Sequence, residues 1–427
     1  MQNSPSRYLE ARGISAGRKI IGNVREKYSG AVVIPAFAES ASLFLTLESL
    51  SDNPVEALAE FLVLVVVNNR GNADMREKLD NIRTLEILPY FASAHPFIQL
   101  AWIDAASPGE ELPDSRGGVG VARKTGLDIA ISKLDYICRD PVLVCLDADT
   151  LVRPDYLPAI TAHFRSGRKS GAVISFIHQA GETETENLAI MRYELFLRAY
   201  VSGLSAAGSP YAFHSIGSAM AVPLSAYLKI GGMNCREAGE DFYFLQQISK
   251  TCGISGIEGT VVYPSSRPST RVPFGTGRSV IKQLSGKEIL LFYHPSCYEI
   301  VKELLNLVES RANSEASAIL RESASISLEL ANFLTRSEFA LAWSKLRKNS
   351  RDKKALLKAF HVWFDGFRTL KLIHHLSDTI LPKCKMEIAL PDVSFSRVVD
   401  GPSAIRHRLE KLRKEQLGAD YEEPVNI

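Results

Sequence analysis

The chain has 427 residues, and its 50 Lys and Arg against 48 Asp and Glu give a formal net charge of +2. That balance offers no electrostatic reason to expect nucleic acid as a partner. A composition of 46% hydrophobic and only 23% charged residues excludes a disordered chain, and the length allows roughly two to three domains.

The first 270 residues or so read as strands alternating with helices. Ala31 to Pro35 is a continuous apolar run, as expected of a strand buried on both faces, and Glu39 to Leu50 follows with helical spacing. Phe61 to Asn68 predicts a second buried strand, Met75 to Leu88 an amphipathic helix, and Ile98 to Ile103 a third strand. Gly117 to Leu134 begins glycine-rich and becomes helical. Val142 to Leu146 predicts a strand running into Asp147-Ala148-Asp149, with a helix starting near Pro154. Further strands are expected at Ala172–Ile177, Ser218–Val222 and Val261–Tyr263, and helices at Glu184–Leu204, Leu224–Ile230 and Glu240–Thr251. This order argues for an α/β protein with a mostly parallel central sheet, whose ligands bind beyond the carboxyl ends of the strands. Ala36 to Glu39, Asn68-Asn69, Asp104 and Asp147 to Asp149 should gather at that edge.

A Pro/Gly/Ser/Arg loop spans Ser265 to Gly277, and long helical patterns follow at Tyr298–Val308, Ala316–Leu334 and Lys353–Leu376. The expected division is an N-terminal extension (1–28), a catalytic domain (29–277) and a helical C-terminal region (278–427). Phe61 to Val67, the most apolar run, is far shorter than the about 20 residues of a membrane-spanning helix. The N-terminus lacks the apolar core of a secretory signal. Cys138, Cys145, Cys235, Cys252, Cys297 and Cys384 show neither zinc nor disulfide spacing, so a reducing cytoplasm is the simplest setting.

Three local patterns carry chemistry. Asp147 and Asp149, two residues apart past a strand, suit a divalent cation bridging to a diphosphate; alone they equally suit a helix cap. Glu240-Asp241 before a helix suits a general base, or a pair that complements the helix dipole. Gly117 to Gly126 is glycine-rich and places Arg123 and Lys124 at a helix start, where anions bind, but fits neither the Walker nor the dinucleotide pattern.

Taken in order, these pieces resemble the family 2 glycosyltransferases of the GT-A fold. Ile34 to Glu39 looks like that family's I-P-x-x-N-E motif, and Gly120 to Gly126 like its G-x-x-x-A-R-N-x-G helix. Asp147-Ala148-Asp149 matches its D-x-D, Gly231-Gly232-Met233 its G-G-F/M segment and Glu240-Asp241 its E-D motif. The resemblance covers roughly Ser29 to Tyr263. It implies a metal-dependent, inverting hexosyltransferase acting from a nucleotide-sugar donor, a UDP-sugar first of all, on an acceptor that the sequence does not name. Pro35, Ala36, Glu39, Asn69, Arg123 and Asp147 would line the donor site. Asp149, with Asp147, would hold Mg²⁺ or Mn²⁺. Asp241 would be the base, with Glu240 orienting the acceptor hydroxyl.

Asn69 stands where the family often has an aspartate, which leaves the nucleotide base open, and Lys124 replaces the family's asparagine. Arg271, in a loop with lid-like glycines, would reach phosphate. His214 would fall on the acceptor side, although a lone histidine is more often structural, and Trp102, Trp343 and Trp363 read as core. The competing readings are a sugar-phosphate nucleotidyltransferase and a non-catalytic nucleotide-sugar-binding protein. Peripheral membrane contact and homodimerisation through the helical tail stay open.

Overall fold

The computed structural model of the chain describes residues 4–14, 17–22, 24–114, 118–137, 139–269, 275–286, 290–391 and 401–418. It has two compact units. Of the described residues, one unit holds those up to Glu186 with those of Ser215–Ser279; the other holds Asn187–His214 with those from Val280 to Gly418.

The first unit is built on eight strands: β1 (Gly30–Ala36), β2 (Phe61–Asn68), β3 (Leu100–Ala105), β4 (Val142–Cys145), β5 (Leu151–Val152), β6 (Gly171–Phe176), β7 (Met220–Pro223) and β8 (Ile254–Tyr263). They form one sheet in the order β3-β2-β1-β4-β7-β6-β8-β5. β1 pairs in parallel with β2 and β4, and β2 in parallel with β3. Their carboxyl ends therefore share one edge, as the alternating pattern predicts. β7 runs antiparallel between β4 and β6, and β5 antiparallel to β8, so the sheet is mixed but mostly parallel. Every residue of β1 and β2 is buried, which is why both read as unbroken apolar runs.

The helices on the way are α1 (Pro5–Arg12), α2 (Leu43–Ser51), α3 (Val55–Glu60), α4 (Met75–Ala94), α5 (Val119–Ala130) and α6 (Tyr156–Arg165). Asp74 and Glu77 form a reciprocal capping box at the start of α4. That helix runs through Pro89, past the expected end at Leu88. α5 is buried from Gly120 to Ala130. At Gly126 a Cβ would lie 2.4 Å from Val33 Cγ1 and 2.8 Å from Val66 Cγ2. Only a glycine lets the helix lie this close to β1 and β2.

α7 (Glu184–Ala206) begins in the first unit and continues in the second. α8 (Leu224–Ile230) and α9 (Glu240–Thr251) belong to the first unit, and α10 (Thr276–Leu284) crosses from the first to the second. The second unit continues with α11 (Pro295–Ser310), α12 (Ala316–Ile326), α13 (Leu328–Arg336), α14 (Phe339–Asn349), α15 (Lys353–Trp363), α16 (Gly366–Thr379), α17 (Met386–Ala389) and α18 (Pro402–Leu417). Two of the expected long helices are each broken in two. Ser327 is extended and its hydroxyl caps α13, and the Asp365 carboxylate accepts from Arg368 N at 2.9 Å at the start of α16. Leu204, Leu304, Ile319, Leu334, Trp343 and Phe360 belong to one core. Trp102 and Trp343 are buried and Trp363 packs against that core, as expected. Among the described residues no helix is long and apolar enough to cross a membrane.

Candidate active site

The site lies at the carboxyl edge of β1, β2 and β4 and is held mostly by side chains on helices. After β1 the chain turns through Ala38, whose φ of 53° is unusual for a residue with a Cβ. Two neighbouring residues of α4 hold that turn. Asn81 Oδ1 accepts from Ala38 N at 2.8 Å, and Asp80 accepts from Ser40 N and Oγ at 3.0 and 2.6 Å. Asn81 also donates to Asn68 O and to Asn69 Oδ1, at 3.0 and 2.9 Å, and Asn68 donates to Ala36 O at 3.1 Å. Asn69 is thus buried in an amide network that ties the ends of β1 and β2 together. Asn81 is fully buried and was missed by the sequence reading, because a helical asparagine gives no periodic signal.

The turn after β4 is pinned at its backbone. Thr46 Oγ1 donates to Ala148 O at 3.0 Å, and Gln179 Nε2 donates to Asp149 O at 2.9 Å and to Tyr263 O at 2.6 Å. Neither Asp147 nor Asp149 caps α6; Asp155 occupies that position. The two carboxylates face different cations.

Asp147 Oδ1 accepts from Arg123 NH2 at 2.5 Å, and Glu240 Oε1 accepts from Arg123 NH1. Arg123 is 1% exposed. Burial opposes its charge, but Asp147 and Glu240 outweigh that and raise its pKa. The guanidinium therefore joins the D-x-D turn to the start of α9. Gly120 permits this approach: a Cβ there would lie 2.4 Å from Arg236 O and 3.1 Å from Glu240 Cβ. Lys124, next along α5, turns the other way. Its ammonium donates to Asp128 Oδ2 at 2.8 Å and to Tyr8 Oη at 2.7 Å. Tyr8 and Tyr227 both donate to Asp128 Oδ1, so this buried group anchors α1 to α5. Both cations of the glycine-rich helix start are thus paired with carboxylates of this chain.

Asp241 follows Glu240 in the first turn of α9. It keeps an accessible edge, yet burial is the largest cause raising its pKa from 3.8 to about 7. The neighbouring Glu240 charge adds to the rise; Arg123 and the Phe242 N–H, which donates at 2.7 Å, oppose it. Cys145 is buried beside this group, and burial pushes its thiol up to about 12, so it is a poor nucleophile.

Asp149 meets a residue that the sequence reading did not select. Arg267, in the loop after β8, donates from NH2 to Asp149 Oδ2 at 3.1 Å and to Glu39 Oε1. The structure thus brings Arg123, Asp147, Glu240 and Asp241 into one group, and Glu39 and Asp149 into another. Pro35 and Ala36 end the buried β1 strand. Arg271, and with it the lid-like segment 271–274, lies outside the described residues. His214 belongs to the second unit, with Nε2 3.1 Å from Gln416 Oε1.

Residues 142–283 match the family model described as Glycosyl transferase family group 2. The chain carries a family 2 glycosyltransferase domain. The match starts at β4 and takes in the D-x-D turn, the Glu240-Asp241 pair and Arg267. The mixed sheet of this glycosyltransferase is the GT-A fold that the motif order implies. No curated protein matches the chain. Among solved structures, it is similar to TarS 1–349 from S. aureus, in complex with UDP-GlcNAc. Identity is 13% over 80% of this chain and 91% of that one, with a TM-score of 0.40. It is also similar to the mannosyltransferase PcManGT from Pyrobaculum calidifontis, in complex with GDP-Man and Mn²⁺. Identity there is 15% over 85% and 93% of the two chains, with a TM-score of 0.37.

Proposed function

We propose that residues 29–277 transfer a hexosyl group from a nucleoside diphosphate sugar, a UDP-sugar first of all, to an acceptor hydroxyl with inversion. The observation that carries this reading is the buried ion pair from Asp147 through Arg123 to Glu240. That pair supports reading Asp241 as the proton acceptor, because the guanidinium holds the start of α9 beside the Asp147 turn.

Asp241 takes the proton of the acceptor hydroxyl as that oxygen bonds to the anomeric carbon. The bond from that carbon to the diphosphate oxygen breaks, and the nucleoside diphosphate leaves with the electron pair. A single displacement inverts the anomeric configuration. Glu240, fixed by Arg123, orients the acceptor. Asp147 faces the ribose or the donor sugar, and the β1 and β2 loops shape the nucleotide pocket.

The donor set fits Mg²⁺ or Mn²⁺: two carboxylate oxygens on a pinned turn are hard ligands, and such ions take one or two carboxylates together with substrate phosphates. Among the described residues no group of three or more His, Cys, Asp or Glu forms a closed cage, so diphosphate and water would complete the shell. When bound, the ion supplies charge that stabilises the departing diphosphate.

The test is release of nucleoside diphosphate from a panel of UDP- and GDP-sugars, with and without EDTA. We expect metal-dependent release from one donor class. Pyrophosphate release would instead show a nucleotidyltransferase, and tight binding without turnover on any acceptor a non-catalytic binding protein.

A further inference from the structure

Arg267 puts a cation of this chain at one of the carboxylates assigned above to the metal. Its NH2 lies 3.1 Å from Asp149 Oδ2 and also donates to Glu39 Oε1, while NH1 lies 3.4 Å from Ser42 Oγ. The base of its loop is tied down. Arg267 N donates to Ser265 Oγ at 3.2 Å, and the buried Ser266 donates to Ala180 O at 2.9 Å. The tip differs: the Arg267 side chain is 35% exposed, and Asp149 is 26% exposed. A guanidinium held at its base and wet at its tip can change partners without unfolding the loop. Its planar fork fits two phosphate oxygens as well as it fits carboxylates.

A divalent cation on Asp149 would sit within a few ångströms of this guanidinium, and like charges at that range oppose each other. We propose that Arg267 is the resting counter-cation of Asp149. In the donor-free enzyme it holds Asp149 and Glu39 and opposes the metal; on loading it passes to the donor's diphosphate as the metal takes Asp149. This inference rests on the reading of Asp149 as a metal ligand. It makes metal and diphosphate mutually dependent, because each relieves the cost of moving Arg267 for the other.

The experiment is Mn²⁺ binding, read by the free-Mn²⁺ EPR signal, with Mn²⁺ alone and with UDP or GDP added. It uses the full chain as wild type, R267Q, R267A, R267K and D149N. The two neutral variants should bind Mn²⁺ alone about tenfold more tightly than wild type. They should lose most of the enhancement that nucleotide gives. R267K keeps the charge and should stay near wild type. Folded R267Q or R267A that binds Mn²⁺ no more tightly than wild type overturns the inference and leaves the metal reading standing. If wild type and both neutral variants take up no Mn²⁺ even with nucleotide, or D149N binds it as well as wild type, the metal reading itself falls and the inference with it.

Discussion

Removing Arg123 tests whether the acidic groups are one electrostatic unit. In R123M a side chain of similar length remains, but the Glu240 carboxylate, only 7% exposed, loses its cation. Breaking a buried pair from one side costs about 3–5 kcal/mol, because the remaining charge is neither hydrated nor paired. Asp147 adds little to that figure, since its side chain is 34% exposed and water can replace the guanidinium. The cost should therefore be recovered at Glu240: R123M/E240Q should lose no more than about 2 kcal/mol, a recovery of at least about 1 kcal/mol over R123M. Two compact units make a single unfolding transition a poor readout. Amide hydrogen exchange in β1, β4 and α5 reports the opening free energy of the first unit directly. A loss below about 1 kcal/mol in R123M, or no recovery in the double variant, would refute the description of Arg123, Glu240 and Asp147 as a coupled group.

Further outcomes follow from the same geometry. Asp241 must be ionised to act as base, so kcat/KM should rise with pH through about 7 and then level off. D241N should lower turnover by about 10²–10⁴-fold, and near-normal turnover would remove Asp241 from the reaction. The raised pKa of Asp241 also affects stability. Its contribution is fully present below the unfolded value near 3.8 and is lost as pH rises through about 7. The advantage of D241N over wild type in the opening free energy of the first unit, read by amide hydrogen exchange corrected for the intrinsic rate at each pH, should therefore grow from about pH 4 to pH 7 and be larger at pH 8 than at pH 5. G126A places a methyl group against Val33 and Val66 and should cost about 1–3 kcal/mol, read by exchange in α5 and β2. Y8F removes a donor to Asp128 and the acceptor of Lys124, and should cost about 1–2 kcal/mol with faster exchange in α5.

Much of the sheet was legible because parallel strands are buried on both faces, so β1, β2 and β4 appear as apolar runs that end where polar residues begin. Glu39, Asp147 and Asp149 were legible from their place just after such runs, and Glu240-Asp241 from its place at a helix start. The cations were harder to place. Arg123 and Lys124 are adjacent on a helix start that looks suited to an anion, yet helical geometry sends them to different carboxylates, one on either side of α5. Arg267 sits in an irregular loop with no period, so nothing local sets it apart from Arg271. Two pairs of tail helices, α12 with α13 and α15 with α16, read as single runs because the apolar spacing continues across each break. The capping residues Ser327 and Asp365 were the available signs that each run is two helices.

The chain changes unit three times among the described residues, after Glu186, after His214 and after Ser279. Asn187–His214 supplies Leu195, Leu204 and Ala207 to cores whose other buried residues run from Tyr293 or Phe292 onward. A protease that nicks the chain between Ser279 and Val280 would therefore not release a free tail. The upstream fragment would still carry a segment on which the downstream helices pack, and the two pieces should co-migrate until denatured. Residues 1–279, expressed without the rest, would make a protein with that segment bare and prone to aggregate. Two halves expressed together should instead complement each other, which makes this chain a natural candidate for a split enzyme.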